Sequence, residues 1–296
     1  MFKNLIFYRI TAGADAITED AIADMAFVPC APSQDFAAGF APPRGHVHGA
    51  FVECVAGQLI LQLVTETKKV PADALARAVA DRCAAIEAQE GRKPGRKETK
   101  EIKADTRMAM LPNAIATRAA TRIWIDRSAN LLAIDSGSTA RTDAAVTLLI
   151  RAINGLAISM ITTANSPQGV MAGWLTSQEW PEDFAPGREV ELRAVDETRS
   201  MVRFTRHNLE SEQITTHVLQ GKLPTKLAMQ WNERVDFIIT DGMALKKIEF
   251  LDAAMADGHD ENQDGFDADV AIATGELGKL IPALLDAMGG ELKVEA

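Results

Sequence analysis

The sequence predicts an α+β fold from three patterns in its 296 residues. The N-terminal part alternates apolar and polar side chains with the period of two that is typical of β-strands. After Pro71 the apolar residues recur at the three- and four-residue spacing of an α-helix. Strands and helices follow one another without steady strand–helix–strand alternation, an order that favours α+β over a parallel α/β sheet.

Hairpins account for several of the predicted strands. Residues 51–55 and 58–65 flank Ala56 and Gly57, which have the number and chemistry of a tight two-residue turn. Residues 30–49, rich in Pro, Gly and Ala, are predicted to form an ordered loop before this hairpin. The other predicted strands are residues 5–10, 121–126, 131–135, 189–195, 200–206, 226–231, 234–240 and 244–250.

Proline and glycine mark the predicted helix ends. Pro71 suits the first turn of a helix, and Gly91 suits its stop. A second, polar helix follows the break at residues 91–95, so the two are predicted to form a helical hairpin with a basic connector. Pro282 is expected to disturb the last helix unless it falls in the first turn. The predicted helices are residues 71–91, 98–111, 138–153, 211–220 and 277–289.

Charge is distributed unevenly along the chain. The net charge of −10 by itself argues against a nucleic-acid partner. Residues 92–127, however, contain ten Lys or Arg against four acids, whereas residues 252–296 contain eleven acids against two lysines. A basic segment therefore lies in the first half of the chain and is made of Arg92, Lys93, Arg96, Lys97, Lys100 and Lys103.

The basic segment has two interpretations. Clustered guanidinium and ammonium groups can neutralise several phosphates and release their counterions. The plainer interpretation is a solvated face of a Lys- and Glu-rich helix. No aromatic residue occurs in the segment or after it before Trp124. If nucleic acid binds here, this favours contacts along a duplex backbone over stacking on single-stranded DNA, which stays open as a second partner.

Cysteine usage and hydropathy indicate the compartment. The three cysteines, Cys30, Cys54 and Cys83, are an odd number with no C-x-x-C spacing, which predicts neither a disulfide framework nor a cysteine zinc site. The N-terminal apolar run, residues 5–8, is too short for a signal peptide. The uncharged stretch at 152–178 is interrupted by polar residues. We therefore expect a cytoplasmic protein with no membrane partner.

One short sequence suggests an enzyme. Asp135 begins an Asp-Ser-Gly-Ser sequence after an apolar strand, which resembles the catalytic loop of aspartic proteases. That chemistry needs two carboxylates that share one proton, and the chain carries a single copy. An aspartic-protease-like homodimeric hydrolase using Asp135 is therefore the alternative function, and ordinary turn chemistry is the simpler explanation.

Metal and cofactor motifs are incomplete. Residues 260–265 begin like a calcium-binding loop, but Ala271 stands where the bidentate glutamate should be. His46 and His48 could be a ligand pair, yet no acid lies at a suitable offset from them. No phosphate-binding glycine loop or serine-hydrolase motif is present. The sequence therefore predicts a protein that is not an enzyme and needs no cofactor or metal.

Short sequences spread over the whole chain resemble one protein family. They are Phe2-Lys-Asn-Leu5, Met25-Ala-Phe-Val-Pro-Cys30, Leu111-Pro112, Trp124-Ile-Asp126, Thr225-Lys-Leu-Ala228 with Trp231, Phe266-Asp-Ala-Asp269, Thr274-Gly-Glu-Leu277 and Gly289-Gly-Glu291. Each is weak alone, but the set occurs in order and at suitable spacing. In this set the chain resembles the RdgC family of bacterial recombination-associated proteins.

The resemblance implies a fold and a function. It implies a horseshoe-shaped subunit with antiparallel sheets and a protruding helical hairpin, which forms a ring-shaped homodimer around duplex DNA. It implies non-sequence-specific DNA binding in the nucleoid that limits RecA-mediated recombination, with direct contact to RecA left open. The expected division is a central α+β domain (1–70 with 116–165), a helical tip (71–115) and a base α+β domain (166–296).

The resemblance and the basic segment together give the candidate site residues. The candidate DNA-binding residues are Arg92, Lys93, Arg96, Lys97, Lys100, Lys103, Arg118, Arg122, Arg203, Lys222 and Lys226. Arg118 and Arg122 are included because Gly95, Asn113 and Thr117 stand where relatives carry basic residues. The resemblance also implies dimer contacts at Ile115, Arg206 and His207.

Overall fold

The computed structural model describes residues 1–46, 48–256 and 265–292, and within them twelve strands form one antiparallel sheet. The strands are β1 (Asn4–Ala12), β2 (Phe36–Ala41), β3 (Glu53–Val55), β4 (Gln58–Lys68), β5 (Ala116–Asp126), β6 (Leu131–Asp135), β7 (Ala157–Met160), β8 (Phe184–Ala194), β9 (Met201–Thr205), β10 (Lys222–Trp231), β11 (Val235–Thr240) and β12 (Leu245–Phe250). The helices are α1 (Glu19–Ala23), α2 (Ala72–Glu90), α3 (Arg96–Met110), α4 (Thr139–Ala152), α5 (Pro167–Ser177), α6 (Glu212–Leu219), α7 (Asp252–Ala256) and α8 (Gly265–Ala287).

Strand β1 joins the two halves of the sheet. The strand order is β2-β4-β5-β6-β1-β12-β11-β10-β8-β9, while β3 pairs with β4 and β7 with β1. β1 pairs with β6 from Leu5 to Arg9 and with β12 at Asn4 and Leu5. The predicted α+β class is confirmed. The horseshoe outline, the ring and the division into three domains stay predictions.

Two apolar cores use alternate side chains of the central strands. One core joins Leu5, Trp124 and the base strands to α5, α6 and α8. The other joins Ile123 and Ile125 to α1 and α4. Because successive side chains of a strand point to opposite faces, Trp124 enters one core while its two neighbours enter the other. The centre of the sheet is therefore buried on both sides. None of the described helices is both long and apolar enough to cross a membrane.

The predicted hairpins are confirmed, and one predicted loop is wrong. Ala56 and Gly57 both have positive φ angles, as a two-residue turn between β3 and β4 requires. Residues 30–49, however, contain β2, which pairs with β4. Its sequence, Phe-Ala-Ala-Gly-Phe-Ala, does not alternate in polarity. At Gly39 a Cβ atom would lie 2.4 Å from the backbone of Phe27, so only glycine fits there.

The helical hairpin is confirmed with shifted ends. α2 ends at Glu90, and the next residue, Gly91, has a φ of 69° and donates its N–H to the carbonyl of Glu87. α3 starts at Arg96, two residues earlier than predicted, and the Glu98 carboxylate accepts the backbone N–H of Gly95. The last helix is also longer than predicted and continues through Pro282.

Candidate nucleic-acid interface

One face of α3 carries a row of cations. Arg96, Lys100, Lys103 and Arg107 are spaced at i, i+4, i+7 and i+11, so they share one face of a helix with 3.6 residues per turn. We call these four residues the tip stripe. All four side chains are exposed. Arg96, Lys100 and Lys103 have no ion-pair or hydrogen-bond partner for their side chains within the described part of the chain.

The acidic residues of α3 lie on the opposite face. Glu98, Glu101 and Asp105 cluster roughly half a turn away from the tip stripe. Between the two charged faces, Thr106 is buried and donates a hydrogen bond to the carbonyl of Ile102. Lys97 is exposed but lies about 100° around the helix from Arg96. The helix therefore presents a concentrated positive face in spite of its mixed composition.

The two cations of the α2–α3 connector are bound to carboxylates. The Arg92 guanidinium contacts Glu98 (Nη1–Oε2, 2.7 Å) and Glu90 (Nη2–Oε2, 2.7 Å). The hydrogen bonds that Arg92 donates to the Glu98 carboxylate raise the pKa of Arg92 and lower the pKa of Glu98. Lys93 lies 3.8 Å from a carboxylate oxygen of Glu87. Arg92 thus links the end of α2 to the first turn of α3, although 55% of its side chain is exposed.

Arg118 on β5 neutralises a buried carboxylate. Its Nε lies 2.6 Å from Oε2 of Glu66, whose side chain is almost fully buried, and its guanidinium lies over the ring of Phe27. Glu66 also accepts the backbone N–H of Cys30 at 2.8 Å. These hydrogen bonds, led by the one from Arg118, lower the pKa of Glu66. A phosphate at Arg118 would have to compete with this carboxylate.

Arg122 is half-buried and lies four residues after Arg118, on the same face of β5. Its Nη1 donates to the carbonyl of Met1 at 3.3 Å, and its Nε is buried without a hydrogen-bond partner in the described residues. Its position beside the buried Trp124 limits its access to a large ligand.

The candidate cations of the base strands also hold carboxylates. Arg203 on β9 binds Glu189 on β8, and Lys226 on β10 lies 2.7 Å from Oε2 of Glu191. Burial raises the pKa of Glu191, but Lys226 and the Thr225 hydroxyl outweigh it and hold that pKa below its usual range. These ion pairs cross neighbouring strands and tie the base sheet together.

The remaining candidate residues lie at strand ends. Lys222, at the start of β10, has its Nζ 3.3 Å from Nδ1 of His217. Ile115 lies just before β5 with 83% of its surface exposed. Arg206 is exposed and His207 is half-buried beside the ring of Phe204, just after β9. An exposed apolar residue such as Ile115 suits a contact surface, and the dimer contacts stay predictions.

Asp135 has a structural role in the described chain. Its Oδ1 accepts the backbone N–H groups of Lys3 (3.1 Å) and Asn4 (2.8 Å), which fixes the start of β1 against the end of β6. Residues 260–264 of the candidate calcium loop lie outside the described residues. Among the described residues, no group of three or more His, Cys, Asp or Glu side chains is arranged to hold a metal.

Sequence reasoning missed Arg107 as a member of the tip stripe. The signal was present, because Arg107 lies eleven residues after Arg96 and four after Lys103. The helix geometry groups Lys100 with Arg96 and Lys103. The fold and this surface thus define an α+β protein with one large antiparallel sheet and a helical hairpin whose exposed cations include three without a partner among the described residues.

Comparison with known proteins gives the family. A family model described as "Putative exonuclease, RdgC" matches residues 1–291. The chain is 39% identical over 300 residues to the recombination-associated protein RdgC of Cupriavidus necator, with 99% of each chain covered. It is 36% identical over 296 residues to the protein of the same name from Herminiimonas arsenicoxydans, with 98% of each covered. The chain belongs to the RdgC family.

Proposed function

We propose that the protein binds duplex DNA without sequence specificity, as a ring-shaped homodimer that encircles the duplex and limits RecA-mediated recombination in the nucleoid. Membership of the RdgC family and the names of the relatives support a role in recombination. The observation that carries DNA binding is the tip stripe, in which Arg96, Lys100 and Lys103 are exposed and have no carboxylate partner within the described chain.

The tip stripe suits phosphates better than bases. Ammonium and guanidinium groups along a helix face can follow a phosphate backbone and release its condensed counterions. Phosphate contacts set position and affinity but carry no base code. The segregation of Glu98, Glu101 and Asp105 to the opposite face keeps repulsive charge away from the same ligand. DNA bound in this way would be recognised by its charge and shape.

A ring explains how such contacts could limit recombination. Two copies that meet at Ile115 and at Arg206 and His207 would enclose a hole, which must be about 20 Å or more across to admit a B-form duplex. A closed ring on DNA occupies the surface on which a recombinase assembles, without any need for chemistry. Whether RecA is contacted directly does not affect this proposal.

A salt series of duplex binding tests the proposal. The full-length protein is titrated into labelled duplexes of unrelated sequence at several salt concentrations, with fluorescence anisotropy as the readout. We expect nearly equal affinities for all sequences and a log–log salt slope of about −4 to −8. A slope near zero, or a strong preference for one sequence, would contradict phosphate-based binding.

A second candidate is nuclease activity, which the description of the matching family as a putative exonuclease favours. End-labelled duplex is incubated with the protein and Mg²⁺, or with a chelator, and the products are separated by size. We expect full-length DNA in both cases and binding that the chelator leaves unchanged. Release of nucleotides that needs the metal would favour the exonuclease.

The hydrolase alternative at Asp135 has its own test. Asp135→Asn keeps an oxygen that can accept the N–H groups of Lys3 and Asn4, so we expect DNA binding and folding to stay close to those of the unmodified protein. A proteolytic activity that the unmodified protein shows and Asp135→Asn abolishes would instead support the hydrolase.

A further inference from the structure

Arg107 completes the tip stripe but is occupied. It lies on the same face of α3 as Arg96, Lys100 and Lys103, and with it the stripe is about 16 Å long, enough to span a major groove about 12 Å wide. Unlike these three residues, Arg107 holds a carboxylate: its Nη2 lies 2.7 Å from Oδ2 of Asp35.

The contact between Arg107 and Asp35 can be exchanged. The two side chains are 54% and 49% exposed, so water and salt reach both of them. Exposed ion pairs between flexible side chains contribute little to stability and are screened by salt. The backbone of Asp35 is held separately, because its carbonyl accepts the N–H of Lys68 at 2.8 Å. The carboxylate can therefore release Arg107 without loss of the local fold.

We propose that Arg107 is a fourth phosphate-binding residue of the tip stripe, and that Asp35 occupies its guanidinium in the free protein until a DNA phosphate replaces it. This inference rests on the proposed function, since it takes the tip stripe as the DNA site. A carboxylate and a phosphate both present oxygens that can accept paired hydrogen bonds from a guanidinium. The exchange therefore conserves the contacts of Arg107. Asp35 then lowers DNA affinity as an internal competitor.

Two charge-matched variants separate competition from general electrostatics. Asp35→Asn and Asp105→Asn each remove one negative charge near α3, but Asp105 lies on the face opposite the tip stripe. In the salt series, we expect Asp35→Asn to bind duplex several-fold more tightly than Asp105→Asn. Equal gains for the two variants would overturn the proposal, because a general change in charge would then explain both.

Arg107→Gln tests the contact itself. We expect it to flatten the log–log salt slope by about 0.9 for each Arg107 that contacts DNA. In the double variant Asp35→Asn/Arg107→Gln, the gain in duplex affinity from Asp35→Asn should vanish, because no Arg107 guanidinium is left for the loss of Asp35 to free. An unchanged slope in Arg107→Gln would overturn the proposal, as would a gain that persists in the double variant.

The triple variant Arg96→Gln/Lys100→Gln/Lys103→Gln distinguishes this inference from the proposed function. If the triple variant keeps the full salt slope, the tip stripe is not the DNA site and the proposed site fails. If the triple variant loses slope while Arg107→Gln does not, only the role of Arg107 fails. Circular dichroism melting of each variant confirms that the compared proteins are folded.

Discussion

The tip helix α3 and the base strands β8, β9 and β10 carry the same kinds of cation in opposite electrostatic settings. On α3, Arg96 and Lys100 have no carboxylate partner within the described chain. On the base strands, Arg203 is bound to Glu189 and Lys226 to Glu191. The difference shows that the number of basic residues does not identify a phosphate site, because a bound carboxylate must first be displaced.

The geometry of each element explains this difference. On a helix, residues spaced at three and four positions share a face, so α3 separates its bases from its acids. In an antiparallel sheet, residues on neighbouring strands lie directly opposite each other, about 5 Å apart. Lys226 lies opposite Glu191 in the β8–β10 register and binds it. Arg203 lies opposite Glu191 in the β8–β9 register and binds Glu189, the diagonal neighbour two residues away on β8. The sheet therefore pairs the charges that the helix separates.

The largest expected effect is the loss of salt dependence of DNA binding when cations of the tip stripe are removed. Replacing Arg96, Lys100 and Lys103 by Gln should flatten the log–log salt slope of duplex binding by about 2.7 for each subunit that contacts DNA. The effect should be the same on unrelated duplexes, because these contacts carry no base information. The salt series by fluorescence anisotropy measures both quantities.

A matched base variant is the control for that loss. Replacing Arg203, Lys226 and Lys247 by Gln removes the same charge from residues that bind Glu189 and Glu191. We expect it to change the slope much less than the tip variant does. Equal losses of slope in the two variants would mean that paired and unpaired cations serve DNA equally, and the comparison would be wrong.

The fold was predictable wherever a periodic pattern met a clear stop. Gly91 and the Ala56-Gly57 turn marked real ends, and the helical hairpin followed from them. β2 was missed because its residues do not alternate in polarity and because Gly39 is required by the close approach of the Phe27 backbone, a tertiary contact with no periodic signature. Local sequence cannot reveal which backbone segment will pack against it.

The candidate site was predictable only in part, for an equally local reason. The helix stripe follows from spacing within one element, which is why Arg107 could have been found. The partners of Arg118 and Lys226 depend on which strands become neighbours, since Glu66 lies 52 residues from Arg118 and Glu191 lies 35 residues from Lys226. Strand order is a property of the whole fold.

The second prediction concerns Ile115, the exposed apolar residue between α3 and β5. Ile115→Asp should raise the dissociation constant of the proposed homodimer by about tenfold or more, because a carboxylate would be desolvated against an apolar partner surface. Sedimentation equilibrium measures the constant. Ile150 on α4 is also exposed and apolar, so Ile150→Asp is the control. Equal dissociation constants for Ile115→Asp and Ile150→Asp would contradict a dimer contact at Ile115.

The third prediction tests whether the base cation Lys226 stabilises the fold by pairing with Glu191. Lys226→Met leaves Glu191, only 8% exposed, without its closest cation, and a buried acceptor that loses its partner costs about 1–2 kcal/mol of stability. We expect thermal unfolding about 2–5 °C below that of the unmodified protein. Lys97→Met removes an exposed lysine without a carboxylate partner in the described chain and should leave the melting temperature unchanged. A similar drop in both variants would show that Lys226 contributes no specific pairing.

The smallest expected effect is the contribution of Glu191 to the way the free energy of unfolding changes with pH in the acid range. Lys226 and the Thr225 hydroxyl hold the pKa of Glu191 below its usual range in the folded protein, despite the burial that opposes them. A lowered folded-state pKa means that the unfolded chain binds the proton more readily. The ionised carboxylate therefore contributes stability above the unfolded-state pKa, and that contribution is lost as the pH falls through the lowered folded-state pKa.

Glu191→Gln removes this titration but keeps an oxygen that can accept the Thr225 hydroxyl. The variant should be less stable than the unmodified protein at pH 7, and the gap should narrow steadily as the pH falls through the acid range. Urea unfolding at several pH values measures it. Glu101→Gln, at an exposed carboxylate on α3, is the matched control and should run parallel to the unmodified protein. If this difference in stability for Glu191→Gln stays constant with pH, the ion pair with Lys226 does not favour the charged form of Glu191. The base cations would then be as available to phosphate as those of the tip.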